Sequence, residues 1–204
     1  QFKIINSEKH QAYIATSYLS TDGPFESPQN FSRLNILGKY TAEISKTSTI
    51  GLTLSHFTSE WDASGQVPQR SIDDGSIGRF GAIDDTEGGN TSRSDVALTY
   101  NKILNTQSSI RNTLFISNYD FELYSNFTFF LNDPINGDQI RQKENRNLFG
   151  LESIWNKSQA TDFGNIEYKA GIGLRHDIVD DVGLWRTLNR TTTLSSLAQG
   201  VVNE

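Results

Sequence analysis

Apolar and polar residues alternate along most of the chain. From Ile166 to Leu174 the even positions read Ile166, Tyr168, Ala170, Ile172 and Leu174, against Glu167, Lys169, Gly171 and Gly173. Val96, Leu98 and Tyr100 oppose Asp95, Thr99 and Asn101, and Ile50, Leu52 and Leu54 oppose Gly51, Thr53 and Ser55. Leu34, Ile36, Tyr40, Ala42 and Ile44 share another such face, with Leu37 breaking the pattern. A period of two marks a strand with one apolar face. No helical stripe of comparable length accompanies it. The pattern predicts strands near 12–20, 31–45, 48–60, 93–104, 108–131, 146–157 and 165–176, an all-β antiparallel meander of about seven strands.

Within 108–131 the apolar phase changes. Ile110, Leu114 and Ile116 are even, whereas Phe121, Leu123, Phe127, Phe129 and Leu131 are odd. A β-bulge near Asn118 produces such a flip. Two strands joined at Ser117-Asn118-Tyr119-Asp120 are the alternative.

The connectors alternate in length. Lys46-Thr47, Asn105-Thr106-Gln107 and 158–164 are short; 21–30, 61–92, 132–145 and the segment after His176 are long. Short turns at one end and long loops at the other are the habit of a transmembrane β-barrel. The apolar faces also lack a partner, since no amphipathic helix is available to cover them. Lipid serves as a cover only if every backbone group is paired, which requires closure without open edges. Seven strands fall short of the smallest such barrels. The chain also holds no Met, so Gln1 is not a translation start. We therefore expect residues 1–204 to be part of a longer barrel.

Composition narrows the chemistry. Eighteen Lys+Arg against 24 Asp+Glu give a net charge of −6, which leaves no basic footprint for a nucleic acid. The absence of Cys removes thiolate metal sites and thiol catalysis. No apolar run approaches the length of a membrane helix. His10, His56 and His176 lack metal-ligand spacing, no nucleophile elbow occurs, and we expect neither a metal, a cofactor nor a catalytic residue. His56 continues the apolar face of Ile50, Leu52 and Leu54, which fits an interfacial position. Tyr40, Tyr100, Trp155 and Tyr168 suit an aromatic girdle at a membrane surface, and equally suit ordinary strand usage.

The stretch Trp61 to Arg93 holds Ser64-Gly65-Gln66-Val67-Pro68-Gln69-Arg70, then Arg79-Phe80-Gly81-Ala82-Ile83-Asp84, then Thr86-Glu87-Gly88-Gly89-Asn90-Thr91-Ser92-Arg93. It resembles the first long loops of TonB-dependent receptors, the active transporters of the bacterial outer membrane. Thr21 to Glu26, and Tyr119 to Pro134, resemble loops of the same family. The resemblance runs from Tyr18 to about Arg175. It implies a 22-stranded barrel, non-enzymatic, set in outer-membrane lipid, that takes a scarce small ligand such as a ferric siderophore. A plug domain, a TonB-contacting box and an aromatic-ended last strand are not among these 204 residues. TonB would thus be met only through a plug outside them.

The resemblance points to Trp61, Asp62, Gln66, Arg70, Arg79, Phe80, Asp84, Glu87 and Arg93 as candidate ligand contacts. Between Trp61 and Ser92, six carboxylates (Asp62, Asp73, Asp74, Asp84, Asp85, Glu87) face two arginines (Arg70, Arg79), a net of −4. An acidic mouth would concentrate cationic ligands; solvated turn residues give the same composition. Arg70, Arg79 and Arg93 either meet an anionic chelate or pair with these carboxylates, and we expect pairing. Two rivals share the strand alternation: a soluble β-sandwich that binds carbohydrate, and a β-jelly-roll hydrolase.

Overall fold

The computed structural model describes residues 2–203. The alternating segments form β1 (Phe2–Asn6), β2 (His10–Thr21), β3 (Phe31–Ser45), β4 (Ser48–Ala63), β5 (Glu87–Asn105), β6 (Ser108–Ser125), β7 (Ile140–Thr161), β8 (Gly164–Leu188) and β9 (Thr192–Asn203). All nine lie in one antiparallel sheet in sequence order. A short helix, α1 (Gln69–Asp73), interrupts the β4–β5 loop.

Nine strands replace the expected seven. β1 and β9 escape the period-two pattern because their ladders slip: the register shifts between Lys3 and Ile5 on β1, and at Leu184/Trp185 and Arg186/Thr187 opposite β9. Leu194 and Leu197 of β9 accordingly stand three residues apart. The expected long connector after His176 is absent. β8 continues to Leu188, and Asn189-Arg190, both at positive φ (51° and 61°), turn directly into β9. Thr191 N–H closes this turn on the Leu188 carbonyl at 3.1 Å. The long connectors 22–30, 64–86 and 126–139 do lie at one end, which this turn shares; 7–9, 46–47, 106–107 and 162–163 lie at the other.

No bulge occurs near Asn118, and β6 is a single strand. Its ladder with β5 runs unbroken from Ile103↔Ser109 to Gly88↔Tyr124, and that with β7 from Ser108↔Lys157 to Ser125↔Ile140. The phase changes because the surroundings change. Below Asn118 the apolar residues occupy one face. Above it that face carries Asp120, Glu122 and Tyr124, and Phe121 and Leu123 turn to the other, beside the loops. The true irregularity lies on β8, where Asp181 takes φ 54° and the register shifts between Val179 and Val182.

One register row makes the apolar face explicit. Tyr40, Leu52, Leu98, Leu114, Leu151 and Leu174 follow each other across β3 to β8. Leu114 is 52% exposed and Leu174 66%, and the only buried hydrophobics among the described residues are Ala42 and Val179. A sandwich or jelly roll stacks two sheets and buries such faces between them. The described residues form one sheet with no second layer, so their architecture is neither a sandwich nor a jelly roll.

Two rows bound the apolar band. Above it, His56, Ser94, Asn118 and Asn147 share a row, with His56 Nδ1 2.9 Å from Ser94 Oγ and Asn118 Nδ2 donating to Asn147 Oδ1 at 2.9 Å. Below it runs an aromatic line that crosses the rows obliquely. Tyr40 sits in the leucine row itself, Tyr100 two residues from it, Trp155 four and Tyr168 six. Six residues over the five strand spacings from β3 to β8, at ~3.4 Å along and ~4.8 Å across, is an inclination of about 40°. Strands of membrane barrels tilt by about 35–45°, so such a line would lie level in a barrel of that tilt.

Candidate functional site

The face opposite the leucines is polar, and charges gather on it below the loops. Phe57, Arg93, Tyr119, Arg146 and Val179 form one row across β4 to β8. Strand alternation puts all five side chains on this face. Arg93 Nε is 2.9 Å from Asp95, Arg146 Nε 2.8 Å from Glu144, and Arg175 Nη2 2.6 Å from Asp177, which Arg146 also reaches at 3.3 Å. Ser55 Oγ donates to Asp95 at 3.0 Å. The carboxylates orient the guanidinium groups without covering them: the Arg93 and Arg175 side chains remain 55% and 58% exposed. Tyr119 and Phe121 stack at 6.3 Å beside them. A pocket of about 370 Å³ lies among Arg93, Ser117, Tyr119, Glu144, Arg146 and Arg175. Planar guanidinium forks flanked by aromatic rings suit a multivalent carboxylate or a similar anion. A wider furrow, about 730 Å³, is lined chiefly by leucine-face residues such as Leu98, Leu114, Leu151 and Leu174.

Above this wall the loops are fastened together. Asn30 Nδ2 donates to Asp62 Oδ2 at 2.8 Å, and Asp62 N–H to the Gln29 carbonyl at 2.7 Å. Phe25 meets Phe80 edge-on at 6.2 Å, and Glu26 N–H donates to the Phe80 carbonyl at 3.0 Å. Loop 22–30 is thus attached to loop 64–86. Asn126 donates to Asp84 at 2.8 Å, which brings in loop 126–139. Gln139, 1% exposed, donates from Nε2 to Thr86 Oγ1 at 2.7 Å and accepts from Thr187 Oγ1 at 3.0 Å and Arg190 N–H at 2.9 Å. Arg190 reaches back to Asp62 at 2.7 Å, donates to the carbonyls of Thr86 and Glu87, and lies over the Tyr124 ring at 5.6 Å. Gly88 leaves the room: a Cβ there would stand 2.3 Å from Arg190 Nη2.

The nine sequence candidates separate into three places. Asp62 and Asp84 are held by hydrogen bonds at the loop base, where Glu87 lies buried and Trp61 half-buried. Gln66, Arg70, Arg79 and Phe80 are exposed on the loop surface. Arg93 belongs to the wall. The expected pairing of Arg70, Arg79 and Arg93 with the loop carboxylates does not occur. Arg93 pairs with Asp95, and among the described residues Arg70 and Arg79 make no ion pair. Asp84 is occupied by Asn126, Gln139 and Thr86, and Asp62 by Asn30 and Arg190, so neither is left for a loop arginine. Burial pushes the Glu87 carboxyl above its ordinary range, and the charge of Asp84 adds to the rise despite a backbone N–H from Asn126. Sequence reading missed Tyr119, Arg146, Arg175, Gln139 and Arg190. Strand phase marks the face that Tyr119, Arg146 and Arg175 share but not their register neighbours; Gln139 and Arg190 left no periodic trace.

Solved structures match the sheet along nearly its whole length. The ferric citrate transporter FecA, in its unliganded form, superposes with a TM-score of 0.78 at 12% identity, over 98% of this chain and 28% of FecA. The ferric-catecholate import receptor Fiu from E. coli K12, in its open form, gives 0.63 at 9% identity, over 98% of this chain and 35% of Fiu. The sheet has the fold of a section of a TonB-dependent receptor barrel. No protein-family model matches the sequence, and no curated protein matches it. The chain spans 28% and 35% of the two proteins it resembles, a ferric citrate transporter and a ferric-catecholate import receptor.

Proposed function

We propose that this chain is a section of a 22-stranded outer-membrane barrel that imports an anionic iron chelate, energised by TonB through a plug domain. The observation that carries the reading is the two-faced single sheet. Its leucine face has no protein cover among the described residues and a band inclined as a tilted barrel requires, and its other face presents Arg93, Arg146 and Arg175 beneath fastened loops. Lipid is the natural cover for the first face. Carboxylate or catecholate oxygens of a ferric complex are natural partners for the second. The likeness to a ferric citrate transporter and a ferric-catecholate import receptor supports an iron chelate as the class of ligand. The net-negative loop does not oppose this, because its Asp62 and Asp84 are already held by donors of the chain itself.

The test is uptake of ⁵⁵Fe-labelled chelates by cells that express the full-length protein, beside a deletion strain. Tricarboxylate and catecholate complexes should enter only with the protein and with TonB. Arg146→Ala should weaken chelate binding by about tenfold, the loss of one charge-assisted contact of ~1.4 kcal/mol. Uptake that is equal in the deletion strain, or a full-length protein that stays monodisperse in buffer without detergent, defeats the reading.

A further inference from the structure

At the loop end of β5 and β6, three buried oxygens have no donor. Glu87 is 6% exposed, Ser125 5% and Asn126 3%. Glu87 Oε1, Ser125 Oγ and Asn126 Oδ1 are all shielded from solvent and unpartnered. They belong to one neighbourhood. The β5–β6 ladder runs to Gly88↔Tyr124, so the next cross-strand neighbours are Glu87 and Ser125, on one face of the sheet. Asn126 follows in the chain, with its backbone N–H toward the Glu87 carboxylate, and gives Nδ2 to Asp84 Oδ2 at 2.8 Å.

A buried carboxylate calls for a positive partner. Arg190 does not supply one, because its guanidinium N–H groups go to the Thr86 and Glu87 carbonyls and to Asp62. Asp84 deepens the imbalance, since a second negative charge stands nearby while both its oxygens already accept hydrogen bonds. Gly65, at φ +63°, lies against the carboxylate so closely that a Cβ there would fall 2.1 Å from Glu87 Oε1. Gly65 itself is exposed, so backbone without a side chain separates the group from solvent.

We propose that Glu87, Ser125 and Asn126, with the charge of Asp84, form a site for a hard divalent cation, calcium foremost. The donors are carboxylate, hydroxyl and amide oxygens, with neither nitrogen nor sulfur among them, which selects against zinc and copper. The set is irregular, and calcium tolerates irregular oxygen cages whereas magnesium demands a near-octahedral one. The ion would link loop 64–86 to the start of loop 126–139, next to the bond from Asn126 to Asp84.

The full-length protein, purified in detergent and stripped with chelator, is titrated with calcium chloride by calorimetry, and its hydrogen exchange is followed with and without the ion. One saturable site is expected in the range of about 10⁻⁴–10⁻³ M typical of extracellular calcium modules, with magnesium silent at equal concentration. Exchange at 84–87 and 125–126 should slow about fivefold or more. Glu87→Gln should abolish both effects, while Asp73→Asn, which removes an exposed carboxylate of the same loop, should leave them intact. Asn126→Asp, which adds a carboxylate, should tighten calcium binding and keeps the test decisive if Glu87→Gln does not fold. Absence of saturable binding up to about 10 mM calcium, or binding unaffected by Glu87→Gln, overturns the proposal. So does a wild type indifferent to calcium whose loops are protected by Glu87→Gln alone, because Glu87 is then simply a protonated buried acid.

Discussion

Arg190 Nη1 lies 2.7 Å from Asp62 Oδ1 and joins the β8–β9 turn to the end of β4. The same guanidinium donates to the Thr86 and Glu87 carbonyls, and the backbone that carries it sits in the left-handed region. That conformation costs a non-glycine residue ~1 kcal/mol or more, which the side-chain contacts offset. Arg190→Ala should therefore release loops rather than unfold strands. The two side chains are 29% and 33% exposed, so a loss of about 1–2 kcal/mol is expected, localised to 64–86 and 126–139. Arg190→Lys keeps the charge but not the fork and should fall between. Hydrogen exchange resolved by peptide is the measurement; uniform protection in Arg190→Ala would refute the clamp.

Leu114 stands between Leu98 and Leu151 in the middle of the apolar band. If lipid covers it, Leu114→Arg should cost about 2–4 kcal/mol of folding stability in bilayers. Thr113→Arg, one residue away on the other face, should cost under 1 kcal/mol, roughly the surface range. Urea titrations of the protein refolded into vesicles compare the two. Equal costs would mean that the leucine face does not meet hydrocarbon.

Gly89 permits close approach of β5 to β6. A Cβ there would lie 2.2 Å from the Glu122 carbonyl oxygen and 3.1 Å from Leu123 Cα, both backbone positions that cannot rotate away. Gly89→Ala should destabilise by about 1–3 kcal/mol through ladder displacement. Gly173→Ala, where the nearest atom would be 3.7 Å away, should be nearly neutral. The difference between their denaturation midpoints is the check.

Loop 126–139 is organised by two carboxylates. Asp138 accepts from Thr128 Oγ1 at 2.8 Å, Asn132 N–H at 2.9 Å and Asp133 N–H at 2.9 Å; Asp133 accepts from Asn136 N–H at 2.9 Å and Ile135 N–H at 3.1 Å. For Asp133 the Asn136 backbone N–H is foremost in holding its carboxyl below the ordinary range. For Asp138 burial pulls upward, but the bonds from Asn132, Thr128 and Asp133 together outweigh it. Both folded values lie below the unfolded one of 3.8, so the stabilisation is complete above that value and disappears as pH falls through the folded values. Proteolysis of this loop by an acid protease should accelerate only below about pH 4. Asp138→Ala should open it at neutral pH by about 2 kcal/mol, because four donors, Asn132 Nδ2 included, lose their acceptor.

The strands were legible because one face of the sheet is apolar through the leucine band, which gives β2 to β8 a period of two there, Leu37 excepted. Where that demand ends, legibility ends too. Phe121 and Leu123 took the opposite phase as β6 left the band, and periodicity alone could not separate a change of surroundings from a bulge. Leu194 and Leu197 broke the period through slips in the β8–β9 ladder. Of the candidate site, Arg93 was identified from the loop resemblance, yet it serves a wall of strand residues. Arg146 and Arg175 were hidden because a charged residue on a polar face is unremarkable until its register neighbours are known. Gln139 and Arg190 act through contacts between positions far apart in the chain, which no local pattern records.

Strand length climbs across the sheet, from 12 residues in β2 to 25 in β8. The extra length of β7 and β8 gives Arg146 and Arg175 the longest stretch of polar wall, and in a tilted barrel the loop end would rise like a ramp from β2 toward β8.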